Sequence, residues 1–407
     1  MEQKHDSYEL PAGCLEPRCG DVSPQSTSLL TTNRFCDCEV RYIKQCNKGG
    51  NEWTVFFAWH GDKRGKFKDA LYTQLMWVQA KEFVFLGAGT FGTTEILLRS
   101  RAHGLKLSSS LGMNLSGNGD ILAFGLDTNR IVNAVGKEDI KYLSEHPVGP
   151  CICGIIDMRD EHVAKNVLDG YVIEEGVAPE ALAPFLESIF NLIPDKIEPH
   201  EQNFLYDIHL QKSKLWPRGP YKYGGSINRT MFYLIMSHDD NQATLTLENN
   251  KPVLRFLGVS RSQHHEVLKR ILADATTAIG GTYAENPFMA SWLGNSEITV
   301  HPLGGANMSS DGTGAQGVTN HLGQLFKDSG SEVYQSLVVV DGAAIPAALG
   351  VNPFATITAF AERSVEEVAK EKGIEIGYGA KNGDSREFNL MDRCHRLASP
   401  KGQLAIN

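Results

Sequence analysis

Apolar and polar positions alternate along this chain with different periods in different stretches. Residues 1–30 are polar, rich in Ser, Thr, Pro and Cys, and without periodicity, which reads as loop or disorder. CEVRYI, from Cys38, then predicts a short strand, and EWTVFFAW a second; the turn residues NKGGN between them predict a hairpin. FVFLGAG is continuously apolar and ends in glycines, the pattern of a strand buried on both faces in a parallel or mixed sheet. TTEILLRSRAHG follows as a helix, with Thr93 or Thr94 as its cap, Ile96, Leu97 and Leu98 as apolar surface, and Gly104 at its end. Strand, glycine turn and helix in that order is the layout of a nucleotide-binding α/β sheet.

Strands and helices mix from about residue 126 to 299. MFYLIMS and ATLTLENNKPVLRFLG predict strands, the latter two joined at an Asn-Asn turn. SQHHEVLKRILADATTAIGG predicts an amphipathic helix with Val267, Leu268, Ile271, Leu272 and Ala275 on its apolar side and His264 and His265 facing solvent. An antiparallel sheet with helices packed on it, forming a second domain, is expected here. Leu337 to Val340 predict another buried strand. Asn352 and Pro353 then open a helix, Asn as the cap and Pro at the first helical position. Phe354, Ile357, Phe360, Ala361, Val365 and Val368 form its expected buried face, and Gly373 its end.

Composition narrows the class. With 407 residues, 42% of them hydrophobic, the chain can bury a substantial core in one large or two medium domains. A net charge of -9 argues against nucleic-acid binding, which needs a basic face. No stretch approaches the roughly 20 apolar residues that span a membrane, and MEQKHDSYEL lacks the apolar core of a signal peptide. The expectation is a cytoplasmic protein without stable membrane insertion. Five of the eight cysteines fall in the first 46 residues and Cys151 and Cys153 form a C-x-C pair; their spacing suits reduced thiols better than a metal site.

Two segments carry candidate chemistry. A helix opening at Asn352-Pro353-Phe354 presents unpaired N–H groups and a partial positive charge, suited to an anion or to a ring that gains negative charge on reduction. Taken alone, the segment reads first as a capped helix packed on a sheet. His301, in HPLGG, sits beside a proline and two glycines, where an imidazole can be aimed at a site and accept a hydroxyl proton. His238, His264, His265 and His321 are the comparison set. His238, closing the MFYLIMS strand, could line a pocket and ranks below His301.

HPLGG followed by VVDGAAIPAALGVNPFATITAFAER resembles the C-terminal signature of glucose–methanol–choline (GMC) oxidoreductases, in particular the cholesterol oxidase branch. FVFLGAGTFGTTEILLRSRAHGL, LGMNLSGNGDILAFG and CEVRYI fit the same branch, over roughly residues 33–125 and 297–372. The resemblance implies an α/β fold, a Rossmann-like FAD-binding part here incomplete, plus an α+β substrate domain with an antiparallel sheet. Its implied division is a non-family segment at 1–30, FAD-binding parts at 31–125 and 300–373, a substrate-binding domain at 126–299 and a tail at 374–407. It implies FAD as cofactor, with a small-molecule alcohol and an electron acceptor, oxygen or another, as partners. By resemblance, His301 faces the substrate hydroxyl and Asn352 accompanies it at the reduced ring. Asp341 and Gly342 lie along the cofactor chain, Pro353 and Phe354 start the helix aimed at the ring, and Gly87, Ala88 and Gly89 end the strand that returns to the nucleotide-binding sheet. Val40 meets the adenine through its backbone, and Asn118 lies in a polar loop near the ring.

The sequence departs from the family in two places. It contains no front G-x-G-x-x-G strand, turn and helix, so a truncated remnant unable to hold FAD alone is the alternative reading. A nicotinamide enzyme fits poorly for the same reason. Sterol oxidases place a glutamate just before the strand matching MFYLIMS, where this chain reads GGSINRT; Glu174 and Glu175, in VIEEG, read as surface carboxylates. The expected activity is FAD-dependent oxidation of the CH–OH group of a bulky apolar alcohol, a sterol-like compound or secondary metabolite.

Overall fold

A computed structural model describes residues 37–46, 52–60, 75–132, 134–135, 152, 154–160, 166–178, 186, 225–256, 263–286, 298–374 and 376. Residues 1–30, the turn NKGGN, Cys151, Cys153 and the tail beyond 376 lie outside them. The fold is α/β with antiparallel sheets, as expected. Strands β1 (Cys38–Gln45), β2 (Trp53–Trp59) and β3 (Met76–Ala80) form an antiparallel meander. Strand β4 (Val84–Leu86) leads into helix α1 (Gly89–Ala102). A five-stranded antiparallel sheet takes β5 (Ile121–Leu126), β6 (Ile155–Asp157), β7 (Val172–Gly176), β8 (Met231–Met236) and β11 (Thr282–Glu285), in the order β11-β5-β8-β7-β6. This sheet draws β5 from before residue 126, where the sequence suggested a division, and its other strands from after it. Strands β9 (Thr244–Glu248) and β10 (Lys251–Arg255) pair separately through Asn249 and Asn250, both at positive φ, as a tight Asn-Asn hairpin requires. Strands β12 (Gln324–Phe326) and β13 (Val333–Val339) complete a mixed sheet in which β13 runs parallel to β4.

Helix α1 has no apolar stripe. Thr93, Thr94, Ile96, Leu97, Leu98, Arg99 and Ser100 are all buried, so it runs through the core and its polar groups need partners. Ser100 Oγ donates to Ile96 O (2.7 Å) and accepts from Ile43 N of β1 (2.9 Å); Arg99 is held by Glu95 and by Asn250 O (3.0 Å). One core gathers Ile43 and Trp53 from the meander, Leu97 of α1, Leu245, Leu303, Leu337, Val339 and Phe360.

Several sequence expectations are corrected. Neither Thr93 nor Thr94 caps α1, because the helix starts earlier, at Gly89. Phe85 of β4 is exposed, since β4 lies at the edge of its sheet among the described residues and is not buried on both faces. Helix α2 (Gln263–Ala278) buries His265, Leu268, Leu272 and Thr276, while Val267 and Ala275 face solvent. The four lie three or four residues apart, and Leu268, Leu272 and Thr276 meet Ile121, Ala123, Ile173, Tyr233 and Ile235 of the five-stranded sheet. The stripe is thus rotated from the one the apolar letters suggested and takes in a histidine expected in solvent.

Burial pushes the His265 imidazole down from its ordinary 6.5 to about 4. Between these two values the unfolded chain binds a proton there that the folded chain does not, so stability falls as pH drops through that window. The loss from pH 7 to pH 4 is expected on the order of 3 kcal/mol for this residue. Urea unfolding at both pH values measures it, and His265→Leu should flatten the difference; an unchanged loss would assign it elsewhere.

Candidate active site

Two parallel strands end side by side. β13 and β4 pair Leu337 with Val84, Val338 with Phe85 and Val339 with Leu86, and Val340 N donates to Leu86 O at 2.9 Å. Past their carboxyl ends come Gly87-Ala88-Gly89 and Asp341-Gly342. The Asp341 carboxylate accepts from Gly89 N (3.0 Å), Ala343 N (2.9 Å) and the Thr93 hydroxyl. It occupies the amino end of α1 from 252 residues further along the chain, the work sequence reading gave to a threonine. Burial pushes its carboxyl above the ordinary value, against the pull of the three donors.

The HPLGG segment threads between this pair and the loop before β5. Leu303 exchanges two backbone hydrogen bonds with Ser116, each 2.9 Å, and Gly304 N donates to Gly342 O at 2.9 Å. Gly305 has φ +91°, and a Cβ there would stand 2.5 Å from Thr94 Oγ1, so only glycine lets this strand lie against α1. Asn307 locks the turn, accepting from Gly305 N (2.7 Å) and donating to Asn114 O (3.0 Å).

His301 stands on this segment with its Nδ1 3.1 Å from both oxygens of Asp120. One of those oxygens also accepts from Val300 N (2.8 Å), His301 N (3.0 Å) and Thr299 Oγ1 (3.1 Å). Asp120 is almost wholly buried, and the His301 side chain keeps 17% exposure. The ring therefore has one nitrogen on a buried carboxylate and retains an open side. Sequence reading missed Asp120; a carboxylate two residues after Asn118, in SGNGD, was the available signal.

Asn118, fully buried and at φ +58°, holds the other candidate segment. Its Oδ1 accepts from Leu349 N (2.7 Å) and Gly350 N (3.2 Å), and its Nδ2 donates to Val351 O (2.9 Å). Asp239 in turn fixes the loop itself, accepting from Ser116 Oγ, Gly117 N and Gly119 N. His238 packs beside Gly350 and burial holds its imidazole below the ordinary value.

The next residue, Asn352, donates from Nδ2 to Glu174 Oε2 at 3.1 Å. Glu174 is 2% exposed, which corrects its reading as a surface carboxylate: it lies on β7, and the strand turns it inward beside Leu234 of β8. Asn352 is likewise no cap. Helix α3 (Phe354–Glu371) takes the buried Pro353 as its N-cap, and among the described residues no side-chain hydrogen bond caps it. Phe354, expected in the buried face, is 78% exposed, and Val365 also faces out, leaving Phe360, Ser364 and Val368 as the buried stripe. The network thus brings together His301, Asn118, Asn352, Asp341, Gly342 and Gly89. Val40, half-buried on β1, is not part of it.

Residues 261–361 match the family described as GMC oxidoreductase. That segment, about a quarter of the chain, is what is similar to the family. It contains α2, His301, Asp341, Asn352 and the first turns of α3. Cholesterol oxidases of Mycobacterium tuberculosis, from strains CDC 1551 / Oshkosh and ATCC 25618 / H37Rv, are each 35% identical to this chain over 147 residues. The match covers 33% of this chain and 23% of each relative, so it spans under a quarter of their length. Among solved structures, an FAD-dependent oxidoreductase from Chaetomium thermophilum overlays with TM-score 0.45 at 15% identity, over 83% of this chain and 62% of that one. Pyridoxine 4-oxidase from Mesorbium loti does so with TM-score 0.45 at 16% identity, over 81% and 57%.

The flavin of a GMC oxidoreductase can be tested against these residues. The first turn of α3 has exposed residues at 354–356 and no side-chain cap, so its N–H groups are open to an electron-rich ring. Gly87 to Gly89 are exposed, and nothing lies within 4 Å of a Cβ built on Gly89, leaving room for close backbone approach. The amino end of α1 is different: the Asp341 carboxylate already fills it. The fit holds at the α3 end. Among the described residues no cluster of His, Cys, Asp and Glu is suited to a metal, and no helix is long and apolar enough to cross a membrane.

Asn118 combines three hydrogen bonds with a left-handed backbone. Asn118→Gly should lose the bonds alone, and Asn118→Ala should be less stable again by about 1 kcal/mol, the cost of a Cβ at that φ. Urea unfolding of the two variants separates the terms; equal midpoints would remove the backbone contribution.

Proposed function

We propose that this chain supplies the catalytic half of an FAD-dependent oxidoreductase that oxidises the CH–OH group of an alcohol. The observation that carries the reading is His301, on the open side of a buried carboxylate, in a GMC domain. With Nδ1 facing Asp120, a neutral His301 carries its proton on Nδ1 and leaves the Nε2 lone pair free. Nε2 then accepts the hydroxyl proton, and Asp120 stabilises the imidazolium that results. Asn352, whose Nδ2 spends one hydrogen on Glu174, donates the other to the alcohol oxygen, on a backbone clamped by Asn118. When bound, FAD supplies the acceptor for the hydride leaving the carbon. Gly87, Ala88, Gly89 and Gly342 would hold it through backbone, with Asp341 steadying that turn and Val40 contributing at the nucleotide part; Asn118, Asn352, Pro353 and Phe354 would hold the ring part, where the open α3 N–H groups would favour negative charge.

Support for a bulky apolar substrate comes from the five-stranded sheet. Leu122 and Leu234, in register with Glu174, are half-buried and put an apolar surface beside Asn352. A sterol-like compound or a secondary metabolite suits such a wall, with oxygen or another acceptor reoxidising the flavin.

The purified chain, mixed with FAD and desalted, should retain a visible flavin spectrum that bleaches under anaerobic addition of its alcohol. His301→Gln should keep the spectrum and lower the bleaching rate by about 100-fold or more. A chain that retains no flavin would be a non-catalytic relative; a His301→Gln variant that bleaches normally would move the proton acceptor elsewhere.

A further inference from the structure

We infer that Glu174 is a positioning residue that holds the Asn352 amide away from its own helix, so that the first turn of α3 stays uncapped. The sequence around residue 352 is built to do the opposite. Asparagine followed by proline is a strong helix start, and Pro353, with φ -82° and ψ -7°, already has near-helical backbone. An Asn352 carbonyl turned along the chain would accept from the N–H of Phe354 or Ala355. Instead its Nδ2 points to Glu174 Oε2, 3.1 Å away and 178 residues earlier in the chain, and among the described residues no side chain caps the helix.

The placement of Glu174 makes this diversion costly to maintain without a purpose. It lies on β7, on the face opposite Ile173, which packs under α2. Its cross-strand neighbours are Leu234 and Ile155, and the residue is 2% exposed. A carboxylate is placed there against the cost of desolvation, and among the described residues its hydrogen-bond partner is Asn352. Asn118 fixes the backbone at 349–351, so the orientation of the Asn352 side chain is what Glu174 decides. With the amide nitrogen held, Oδ1 and the α3 N–H groups remain available to a bound ligand. That the ligand is a flavin rests on the proposed function; the orientation of Asn352 does not.

Hydrogen exchange of the ligand-free chain tests the orientation directly. Glu174→Met fills the same space without an acceptor, and Glu174→Gln keeps the acceptor without the charge. In Glu174→Met the amides of residues 354–356 should exchange roughly fivefold more slowly than in the native chain, the effect of one new capping hydrogen bond, while Glu174→Gln stays close to native. Native exchange in Glu174→Met, or equal slowing in both variants, would overturn the proposal. Titration with FAD is read separately: slowed exchange with unchanged FAD affinity would keep the positioning role and remove the flavin from the α3 end.

Discussion

The candidate site depends on the loop Ser116–Asp120 being held rigidly at three points. Asp239 fixes the loop from within, Asn118 clamps the backbone at 349–351, and Asp120 takes both the backbone and the ring of His301. Two segments that start 48 residues apart, HPLGG at His301 and LGVNP at Leu349, are thereby brought to a single short support. Each bond alone is modest, but a buried carboxylate deprived of its donors is expensive, so the loop has few alternative conformations.

The same device recurs along the carboxyl ends of the parallel strands. Asp341 joins the glycine turn after β4 to the turn after β13, as Asp120 joins HPLGG to β5. Each carboxylate accepts from two backbone N–H groups, which steadies irregular backbone where neither helix nor sheet can satisfy it. Glu174 is of a different kind. It holds a side chain, from a strand of the other sheet, and joins the five-stranded sheet to the start of α3. The side chains that would meet a substrate are therefore set by acidic residues from elements distant in sequence.

Glycine and helix burial complete the arrangement. HPLGG can reach its position only because Gly305 lets it lie on α1, and α1 can be approached there because its polar side chains, Thr93 and Thr94, bond inward to Asp341 and to Thr90 O. A helix buried over most of its surface, from Thr93 to Ser100, forms a fixed floor for the segment that lies on it.

The sequence by itself determined β1, β2, β4, β8, β9, β10 and β13, the Asn-Asn hairpin, α2 and α3, and through its family-like motifs it singled out His301, Asn352, Asn118 and Asp341. Those signals are local: periodicity, turn chemistry and short motifs need only neighbouring letters. Tertiary structure decided the rest. Asp120 and Glu174 gave no local sign of their roles, because a carboxylate in SGNGD or VIEEG reads the same in solvent as in a core. The burial of His265, the exposure of Phe354 and the loss of Asn352 as a cap were likewise fixed by which face of each element met another. Partners 178 and 181 residues apart are chosen by the packing of whole sheets, and no local pattern records that choice.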